Sequence, residues 1–272
     1  MTLKFIVYEL SIHKNTFTGI MSHSTGMPTS VFSNLENNIN WLDRDTYWLS
    51  TIPQGTPLWD GCRKYRLTGS NFGIAAGHSK FKTPSQLADE IAGITKPEIP
   101  AYNRELMAYG TSREPIARKW YEQRYGVTVK EVGLAVWKQN PYLGCSSDGI
   151  VMSESPQSHG MSDVAESDLL LEIKSVKKMY EPVKKYMQAI HEGFQPPPFY
   201  HDHMWTTHYD QIQGNLAIMN KKWCDYVVYC EPESSVFTYR VVYNPHYWEH
   251  ELYPALHGFI ENELKPRIQN RE

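Results

Sequence analysis

The sequence predicts an α/β fold in which a mixed central sheet is flanked by helices, and three observations lead to it. The chain has 272 residues, enough for one sizeable α/β domain with an extension. Its hydrophobic residues make up 41% and its charged residues 21%, which is the composition of an ordinary globular protein. Helical and strand patterns follow in the order helix, three strands, helix, two strands, helix, which is typical of a mixed sheet with helices on its faces.

The N-terminal region differs from the rest of the chain. Residues 1–50 are weakly patterned and contain the polar stretch His23–Ser30, so we interpret them as an N-terminal extension to a domain that spans residues 51–272. The apolar segment Phe5–Leu10 is short and is interrupted by Glu9. No apolar run approaches the roughly 20 residues of a membrane-spanning helix. These features predict a soluble, intracellular protein with no membrane partner.

The first half of the main domain is predicted to be helical and the middle to form strands. Helical patterns cover residues 70–77, 84–94, 104–110 and 114–125. Valine-rich and apolar runs predict strands at 127–137, 143–152 and 168–176. Between the last two strands, the Ser-, Glu- and Gly-rich residues 153–167 predict an exposed loop.

The last third of the chain returns to helices and strands. A helix is predicted from apolar residues that recur on one face, namely Tyr209, Ile212, Leu216 and Met219. Strands at 226–230 and 236–243 follow, and a C-terminal helix begins at Pro245 and ends near Pro266.

Charge and cysteine content narrow the functional classes only a little. The formal net charge of −3 argues against a chain covered in basic residues for non-specific nucleic-acid binding, but a local basic groove can coexist with an acidic remainder. The four cysteines lie far apart and form no Cys-x-x-Cys pair. They are therefore interpreted as buried, reduced thiols.

The most informative segment is Leu169-Leu-Leu-Glu172-Ile-Lys174. Side chains alternate between the two faces of a strand, so Glu172 and Lys174 are expected to share one face, opposite the apolar residues. Burying charged side chains costs free energy, so a charged pair on so apolar a strand calls for a structural or functional explanation. A second acidic-x-Lys copy, Glu263-Leu-Lys265, lies at the end of a predicted helix with no acidic turn upstream. We interpret it as a surface pair with no role in a functional site.

An upstream acidic residue completes this pattern. Asp148 lies at a predicted sharp turn between apolar segments, and a hairpin there would bring it beside Glu172. Two carboxylates at one point suit Mg²⁺ or Mn²⁺, while Lys174 could orient and help deprotonate a water or stabilise charge on a phosphate. The alternative is a plain Asp148-Gly149 turn beside a solvated strand face.

Five ordered segments resemble the phage lambda exonuclease and YqaJ viral recombinase family, within the PD-(D/E)xK nucleases. Ser146-Ser-Asp148-Gly149 and Leu171-Glu172-Ile-Lys174 are similar to its nuclease motifs, and Gly110-Thr-Ser-Arg-Glu114-Pro-Ile-Ala117 to the helix with an additional active-site glutamate. Trp59-Asp-Gly-Cys-Arg63 with Thr68-Gly-Ser70 resembles the Trp-x-x-x-Arg…Thr-Ala-Ser segment, and Gln211-Ile-Gln213 the Gln-x-Gln helix. The resemblance covers roughly residues 56–245, and Gly69 departs from it where the family has alanine.

This resemblance implies a restriction-endonuclease-like fold and Mg²⁺-dependent hydrolysis of DNA, with Mn²⁺ able to substitute. Asp148, Glu172, Glu114 and the carbonyl of Ile173 would hold the metal. Lys174 would be the catalytic lysine, with Gln211 lining the site and positioning water or phosphate. Arg63 and Ser70 would bind a DNA phosphate, in the family the 5′-terminal one.

Each of the outlying residues also has a simpler interpretation. Thr111-x-x-Glu114 fits a capping box, in which Glu114 would only close a helix N-terminus. Arg63 fits a surface ion pair, and Ser70 fits a helix N-cap that could itself bind phosphate. Gln211 and Gln213 lie on opposite faces of their helix, so at most one of them faces the metals.

Two clusters lie outside these motifs. His201, His203 and His208 fit no tight zinc-ligand spacing, and a loop near DNA is the favoured interpretation. Four lysines follow the catalytic strand and could track a DNA backbone or cover a solvated helix face, namely Lys177, Lys178, Lys184 and Lys185.

The family resemblance implies an exonuclease that degrades linear duplex DNA from its ends, 5′ to 3′. The single strand left behind would feed a strand-annealing recombinase, and the family suggests a homotrimer. The rival interpretations are a structure-specific or restriction-like endonuclease on the same fold, and an inactive DNA-binding module. The intact set of carboxylates and lysine argues against the inactive module.

Overall fold

A computed structural model of the chain describes residues 41–154 and 164–270. The strands are β1 Trp41–Asp43, β2 Tyr47–Ser50, β3 Leu67–Thr68, β4 Thr128–Lys130, β5 Ala135–Trp137, β6 Leu143–Cys145, β7 Gly149–Glu154, β8 Val164–Ser175, β9 Trp223–Cys230 and β10 Ser235–Val242. The helices are α1 Pro57–Arg63, α2 Phe72–Ala75, α3 Pro84–Ile91, α4 Ala101–Tyr125, α5 Glu181–His191, α6 Thr206–Ile218, α7 Pro245–Tyr247, α8 Tyr253–Phe259 and α9 Lys265–Gln269. Two 3₁₀ segments, Gly69–Asn71 and Glu231–Glu233, and two π segments, Trp248–Leu252 and Ile260–Leu264, complete the described elements.

The strands form two mixed five-stranded sheets flanked by helices. One sheet has the order β1-β2-β5-β6-β3 and the other the order β10-β9-β8-β7-β4. Strand β8 is central in the second sheet, antiparallel to β7 and parallel to β9. Helices α5 and α6 make the crossover that a parallel pair requires. The predicted α/β class is therefore confirmed, with the sheet divided into two.

Two predicted strands are each divided between the two sheets. Residues 127–137 were predicted as one strand, but they form β4 in one sheet and β5 in the other. Residues 143–152 likewise form β6 and β7, so Asp148 lies where the chain passes between sheets and not at a hairpin turn. An uninterrupted apolar run shows that a segment is buried but not where it changes sheet.

The two helices predicted at 104–110 and 114–125 form one continuous helix, α4. The helix continues through the predicted gap at 111–113 and contains Pro115, a residue that usually breaks or kinks a helix. Thr111 is consequently also within the helix and cannot be an N-cap. The capping-box interpretation of Glu114 is therefore wrong, and Glu114 instead pairs with Arg118 one turn later.

The segments at both ends of the domain are more extensive than predicted. Strands β1 and β2 lie within the residues predicted as an extension, and β2 pairs with β5. The C-terminal helical region continues beyond Pro266 to Gln269. Residues 1–40 of the predicted extension, residues 155–163 of the predicted loop and the last two residues lie outside the described part of the chain. The loop prediction is wrong at its ends, because residues 153–154 belong to β7 and residues 164–167 to β8. Among the described residues, no helix combines the length and the apolar character needed to cross a membrane.

Both faces of β8 are buried, which holds this strand rigidly. Leu171 and Ile173 pack against α4 through Ala117 and Tyr121, while Leu170 belongs to the larger core on the opposite side. Each fully buried aliphatic side chain of this kind stabilises the fold by roughly 1.5–3 kcal/mol. Residues that project between these apolar anchors are therefore held in fixed positions.

Glycines allow α6 to approach the segment 69–75 closely. A Cβ added to Gly73 would lie 2.7 Å from the Cα of Thr207, and one added to Gly69 would lie 2.5 Å from Asn215 Oδ1. A Cβ on Gly214 would overlap the ring of Phe72. We call these three glycines and the residues they meet the glycine seam.

The seam predicts a sharp difference between two Gly→Ala substitutions. Gly214→Ala is expected to destabilise the protein by about 2 kcal/mol or more, because Phe72 is fully buried and has no room to move. Gly61→Ala is the matched helical control, since a Cβ there meets nothing within 4 Å, and it should be neutral or stabilising by roughly 0.5–1 kcal/mol. Urea unfolding of both variants measures the difference, and equal stabilities would show that the seam is not tightly packed.

Candidate active site

One cavity of about 240 Å³ brings together residues from distant parts of the chain. It is lined by every residue that the sequence analysis assigned to the site, namely Arg63, Ser70, Glu114, Asp148, Glu172, Ile173, Lys174 and Gln211. We call it the reaction pocket. Strand β8, the residue before β7, the 3₁₀ segment Gly69–Asn71 and helices α1, α4 and α6 supply these residues.

Strand β8 places Glu172 and Lys174 on one face, as strand alternation predicts. Lys174 Nζ donates to Glu172 Oε1 at 2.7 Å, and to Gln211 Oε1 at 3.0 Å. Glu172 is only 2% exposed, so the solvated strand face considered as an alternative is wrong. A carboxylate so deeply buried requires hydrogen-bond donors, and Lys174 and Gln211 supply them.

Asp148 joins this pair through the backbone of the neighbouring strand. Its amide donates to the carbonyl of Leu171 at 3.1 Å, and its Oδ2 accepts from the amide of Ile173 at 2.6 Å. Asp148 is therefore anchored directly beside Glu172, as expected, although it lies immediately before β7 and not in a hairpin.

Glu114 reaches the pocket from α4. Its Oε1 accepts from Arg118 Nη2 at 2.7 Å, and Arg118 also pairs with Glu131. The arginine is largely buried and orients the Glu114 carboxylate at the pocket wall. Glu114 thus provides a third carboxylate for the cavity that contains Asp148 and Glu172.

Two of the three carboxylates, Asp148 and Glu114, have raised pKa values. Burial and then the nearby Glu172 raise the pKa of Asp148 well above its usual value. Burial also raises the pKa of Glu114, with Glu172 adding to the effect. Burial alone would lower the pKa of Lys174, but Glu172 and Asp148 outweigh it and raise that pKa, so the lysine keeps its positive charge.

This charge distribution fits a divalent cation. Three carboxylates line the reaction pocket together with one lysine ammonium, and oxygen ligands of this kind suit Mg²⁺ or Mn²⁺. In the described parts of the chain, no three His, Cys, Asp or Glu side chains already converge as a finished metal site. Glu114 is turned to Arg118 and Glu172 to Lys174, so cation binding would draw these oxygens into the pocket.

Helix α6 supports Glu172 from the other side. Gln211 Nε2 donates to Glu172 Oε1 at 2.7 Å, while Gln213 points away and donates to the carbonyl of Val242. Asn215 Nδ2 approaches Glu172 Oε2 at 3.4 Å. Only one of the two glutamines faces the pocket, and Asn215, one helical turn after Gln211, was missed although its spacing indicates the same face.

The opposite wall carries hydroxyl groups and a guanidinium. Arg63 Nη2 donates to Thr68 Oγ1 at 3.1 Å, and its guanidinium lies over the Trp59 ring, 4.3 Å from the centroid. Within the described ranges the guanidinium therefore contacts the pocket wall and forms no ion pair with a surface carboxylate. Ser70 lies inside the 3₁₀ segment and not at an N-cap, so that interpretation is wrong.

Sequence reasoning also missed Ser146. Its Oγ is buried with no hydrogen-bond partner among the described residues, although the residue lines the reaction pocket. The position two residues before Asp148 was a signal that could have identified it. A hydroxyl left without a partner at a pocket wall is suited to a polar ligand.

A second, basic cavity of about 690 Å³ adjoins the reaction pocket on the α4 side. It shares Ser70, Glu114, Ile173 and Lys174 with that pocket and adds Lys177 and Lys178, with three tyrosines, namely Tyr102, Tyr109 and Tyr180. Of the other predicted lysines, Lys184 is in an ion pair with Glu233. The four lysines therefore do not form one track, and only the first two adjoin the site.

The three histidines occupy different surroundings. His201 stacks on Tyr209 with ring centroids 3.9 Å apart, and His208 Nδ1 lies 2.9 Å from the hydroxyl of Tyr226. His203 is buried among aromatic rings, and neither of its ring nitrogens has a hydrogen-bond partner among the described residues. They do not converge on a common ligand.

The burial of His203 predicts a loss of stability in mild acid. Burial lowers its pKa from 6.5 to about 4. Between these pH values the unfolded chain takes up a proton that the folded chain excludes, so stability falls as the pH drops from about 6.5 towards 4. His203→Phe is expected to reduce this loss by roughly 1–2 kcal/mol at pH 5, measured by urea unfolding at pH 5 and pH 7. His257→Phe, at an exposed histidine, is the control, and an unchanged pH dependence in His203→Phe would contradict the assignment.

Comparison with known proteins identifies the fold. The chain is similar to the crystal structure of an alkaline exonuclease (LHK-Exo) from Laribacter hongkongensis, with 23% identity, a TM-score of 0.56 and coverage of 79% of this chain and 96% of that one. The same protein in complex with dAMP gives 22% identity, the same TM-score of 0.56 and the same coverage of 79% and 96%. A phage related exonuclease from Haemophilus somnus 129PT gives 13% identity and a TM-score of 0.46, over 76% of this chain and 94% of that one. The fold is thus the restriction-endonuclease-like fold of lambda-exonuclease-like nucleases.

The sequence itself matches a known domain family. No curated protein sequence shows a significant match to this chain. The family model for the YqaJ-like viral recombinase domain matches residues 58–222, the part of the chain that contributes every lining residue of the reaction pocket except Gln54. Family and fold together support a nuclease hydrolase. The chain belongs to the YqaJ-like viral recombinase domain family.

Proposed function

We propose that the protein is a divalent-metal-dependent DNA exonuclease that hydrolyses phosphodiester bonds of linear duplex DNA from its ends, 5′ to 3′. One observation carries this proposal. Three carboxylates, a retained ammonium and a guanidinium line the same small cavity in a chain of the YqaJ-like family. A site with both a cation-binding side and an anion-binding side is what phosphodiester hydrolysis requires.

The carboxylate side would hold the metal. In this proposal Asp148, Glu172, Glu114 and the carbonyl of Ile173 are the ligands for Mg²⁺, with Mn²⁺ able to replace it. The bound cation would polarise the scissile phosphate and make water more acidic. Asp148 and Ile173 are already tied to each other by the 2.6 Å hydrogen bond, which holds their relative positions.

Lys174 acts in this proposal as a charged group and not as a free base. Its raised pKa keeps it an ammonium, so it can orient water and stabilise the negative charge that builds up on the phosphate. Gln211 bridges Lys174 and Glu172, accepting from one and donating to the other. It therefore fixes the positions of the Lys174 and Glu172 side chains relative to each other.

The other wall would anchor the end of the DNA strand. Arg63 and Ser70 would bind the 5′-terminal phosphate, and Ser146 offers a further hydroxyl. A terminal phosphate held at a fixed distance from the metal explains a preference for strand ends over internal sites. The product single strand would pass to an annealing recombinase, and assembly into a homotrimer, checked by analytical ultracentrifugation, belongs to the same proposal.

The test uses linear duplexes labelled at the 5′ or the 3′ end beside a covalently closed circle. With Mg²⁺, the 5′ label is expected to be released early as a small product while the circle stays intact. Omitting the metal and adding EDTA should stop the reaction, and Mn²⁺ should restore it. Early release of the 3′ label would reverse the polarity, and cleavage of the circle would replace the exonuclease by an endonuclease.

A further inference from the structure

A buried arginine behind Glu114 joins two carboxylates from different parts of the chain. Arg118 Nη2 donates to Glu114 Oε1 at 2.7 Å, and Arg118 Nη1 donates to Glu131 Oε1. The Arg118 side chain is 10% exposed, whereas the Glu131 side chain is 73% exposed and does not line the reaction pocket. One guanidinium therefore connects a carboxylate of the pocket with a carboxylate near the surface. We call these three residues the arginine bridge.

Arg118 requires a carboxylate partner because it is buried. Its Nε has no hydrogen-bond partner among the described residues, so the guanidinium depends on the two ion pairs made by its Nη atoms. A buried charge that loses its last counterion is strongly destabilising. If Glu114 were the sole counterion, turning it into the reaction pocket would leave the guanidinium unpaired. A second carboxylate at Glu131 removes that penalty.

The backbone next to Glu131 is tied to the wall of the reaction pocket. Glu131 directly follows β4, and the next carbonyl, that of Val132, accepts from Gln54 Nε2 at 2.9 Å. The same amide nitrogen donates at 3.1 Å to the carbonyl of Ser147, the residue before Asp148. Gln54 also lines the reaction pocket. Glu131 is therefore a fixed attachment point for the arginine.

Glu114 is the member of the arginine bridge that can change its partner. It lines the reaction pocket together with Asp148 and Glu172, but its Oε1 is turned to Arg118. Rotation of the Glu114 side chain would exchange the guanidinium for a cation held between the three carboxylates. Arg118 and a divalent cation therefore compete for the same carboxylate.

We propose that Glu131 is a positioning residue for metal binding, which retains Arg118 when Glu114 turns from the arginine to the divalent cation. This inference rests on the proposed function and adds to it a residue outside the pocket. Arg118 holds Glu114 at the pocket wall before the cation binds. Glu131 keeps the guanidinium paired afterwards, so the exchange leaves no buried charge without a counterion. A side chain that does not touch the metal thus helps to set the metal affinity.

Glu131→Gln is expected to weaken Mn²⁺ binding by about 10- to 100-fold, which is the usual effect of losing a group that supports a metal ligand. The reason is that Arg118 then keeps Glu114 as its sole counterion. Electron paramagnetic resonance of free Mn²⁺ measures binding to the full-length protein without DNA. Glu105→Gln is the matched control, because it removes one negative charge from an exposed position of α4, and its affinity should stay close to that of wild type.

A double-mutant cycle with Arg118→Gln distinguishes this role from simple attraction between Glu131 and the cation. Arg118→Gln alone should bind Mn²⁺ at least as tightly as wild type, because Glu114 has lost its competing partner. In that background Glu131→Gln should have little further effect, since Glu131 acts through the arginine. If circular dichroism shows that Arg118→Gln does not fold, Arg118→Lys replaces it in the cycle, because an ammonium lacks the planar fork that joins the two carboxylates.

Several results of these titrations would overturn the inference. An unchanged Mn²⁺ affinity in Glu131→Gln means that Arg118 does not need the second carboxylate. Equal losses from Glu131→Gln with and without Arg118 mean that Glu131 only attracts the cation through space. A large loss of affinity in Arg118→Gln means that the arginine supports Glu114 as a ligand and does not compete for it.

The Mg²⁺ dependence of hydrolysis separates this inference from the proposed function. Glu131→Gln should raise the Mg²⁺ concentration that gives half-maximal hydrolysis of linear duplex DNA, while its rate at saturating Mg²⁺ stays close to that of wild type. A lower saturating rate at an unchanged Mg²⁺ requirement overturns the inference and leaves the exonuclease intact. A wild-type protein that neither binds Mn²⁺ nor cleaves linear DNA contradicts the proposed function, and this inference with it.

Discussion

Lys174→Met is expected to reduce the rate of linear-duplex hydrolysis by about 100- to 1,000-fold. The substitution keeps the length of the side chain but removes the ammonium that bonds to Glu172 and Gln211. The charge that builds up on the phosphate then loses its nearest fixed positive group. Single-turnover kinetics with saturating Mg²⁺ measures the loss, and a binding assay in EDTA should show that DNA affinity changes far less.

The chain provides its own control for this substitution. Lys265 belongs to the second acidic-x-Lys copy, but it pairs with Glu261 on the C-terminal helical region. Lys265→Met should leave the rate of hydrolysis close to that of wild type. A small effect of Lys174→Met, or equal effects of the two substitutions, would show that the reaction uses a different centre.

Asp148→Asn is expected to abolish detectable hydrolysis and at the same time to stabilise the metal-free protein by roughly 1–2 kcal/mol. Asparagine keeps an oxygen to accept from the Ile173 amide but removes one of the mutually repelling carboxylates. The same repulsion that destabilises the empty site would favour a bound cation. Urea unfolding in EDTA measures the gain, and thermal unfolding with and without Mg²⁺ measures the loss of metal response.

Asp168→Asn on the neighbouring strand β8 is the control for this second effect. Asp168 is 39% exposed and pairs with Lys222, so neutralising it should neither stabilise the protein nor alter its response to Mg²⁺. An Asp148→Asn protein that is less stable than wild type in EDTA, yet still stabilised by Mg²⁺, would mean that this carboxylate is not a metal ligand.

The sequence predicted the reaction pocket better than it predicted the sheets around it. Strand alternation placed Glu172 and Lys174 on one face, and the position of Asp148 between apolar runs placed it beside them. These relations are local or involve neighbouring strands. The division of residues 127–152 between two sheets depends on contacts with β2, β3 and β8, which no local pattern encodes.

Features that depend on contacts between residues far apart in the chain could not be predicted from the sequence either. Arg66 is buried because its guanidinium donates to the carbonyls of Cys62 and Pro141, and the second of these lies 75 positions away in the sequence. A capping role was the alternative considered for Glu114 because Thr111 precedes it by three positions, whereas both residues lie inside one continuous helix. Gly69 appeared as a minor departure, and its reason lies 146 positions away at Asn215.

The glycine seam is expected to make residues 69 and 215 vary together among relatives. Asn215 reaches towards Glu172 only because Gly69 leaves space for its amide, so a methyl group at one position requires a shorter side chain at the other. Relatives with alanine at the first position are expected to have a smaller residue than asparagine at the second. A change at only one of the two positions would leave either a clash or a gap, so each residue constrains which side chain the other position accepts.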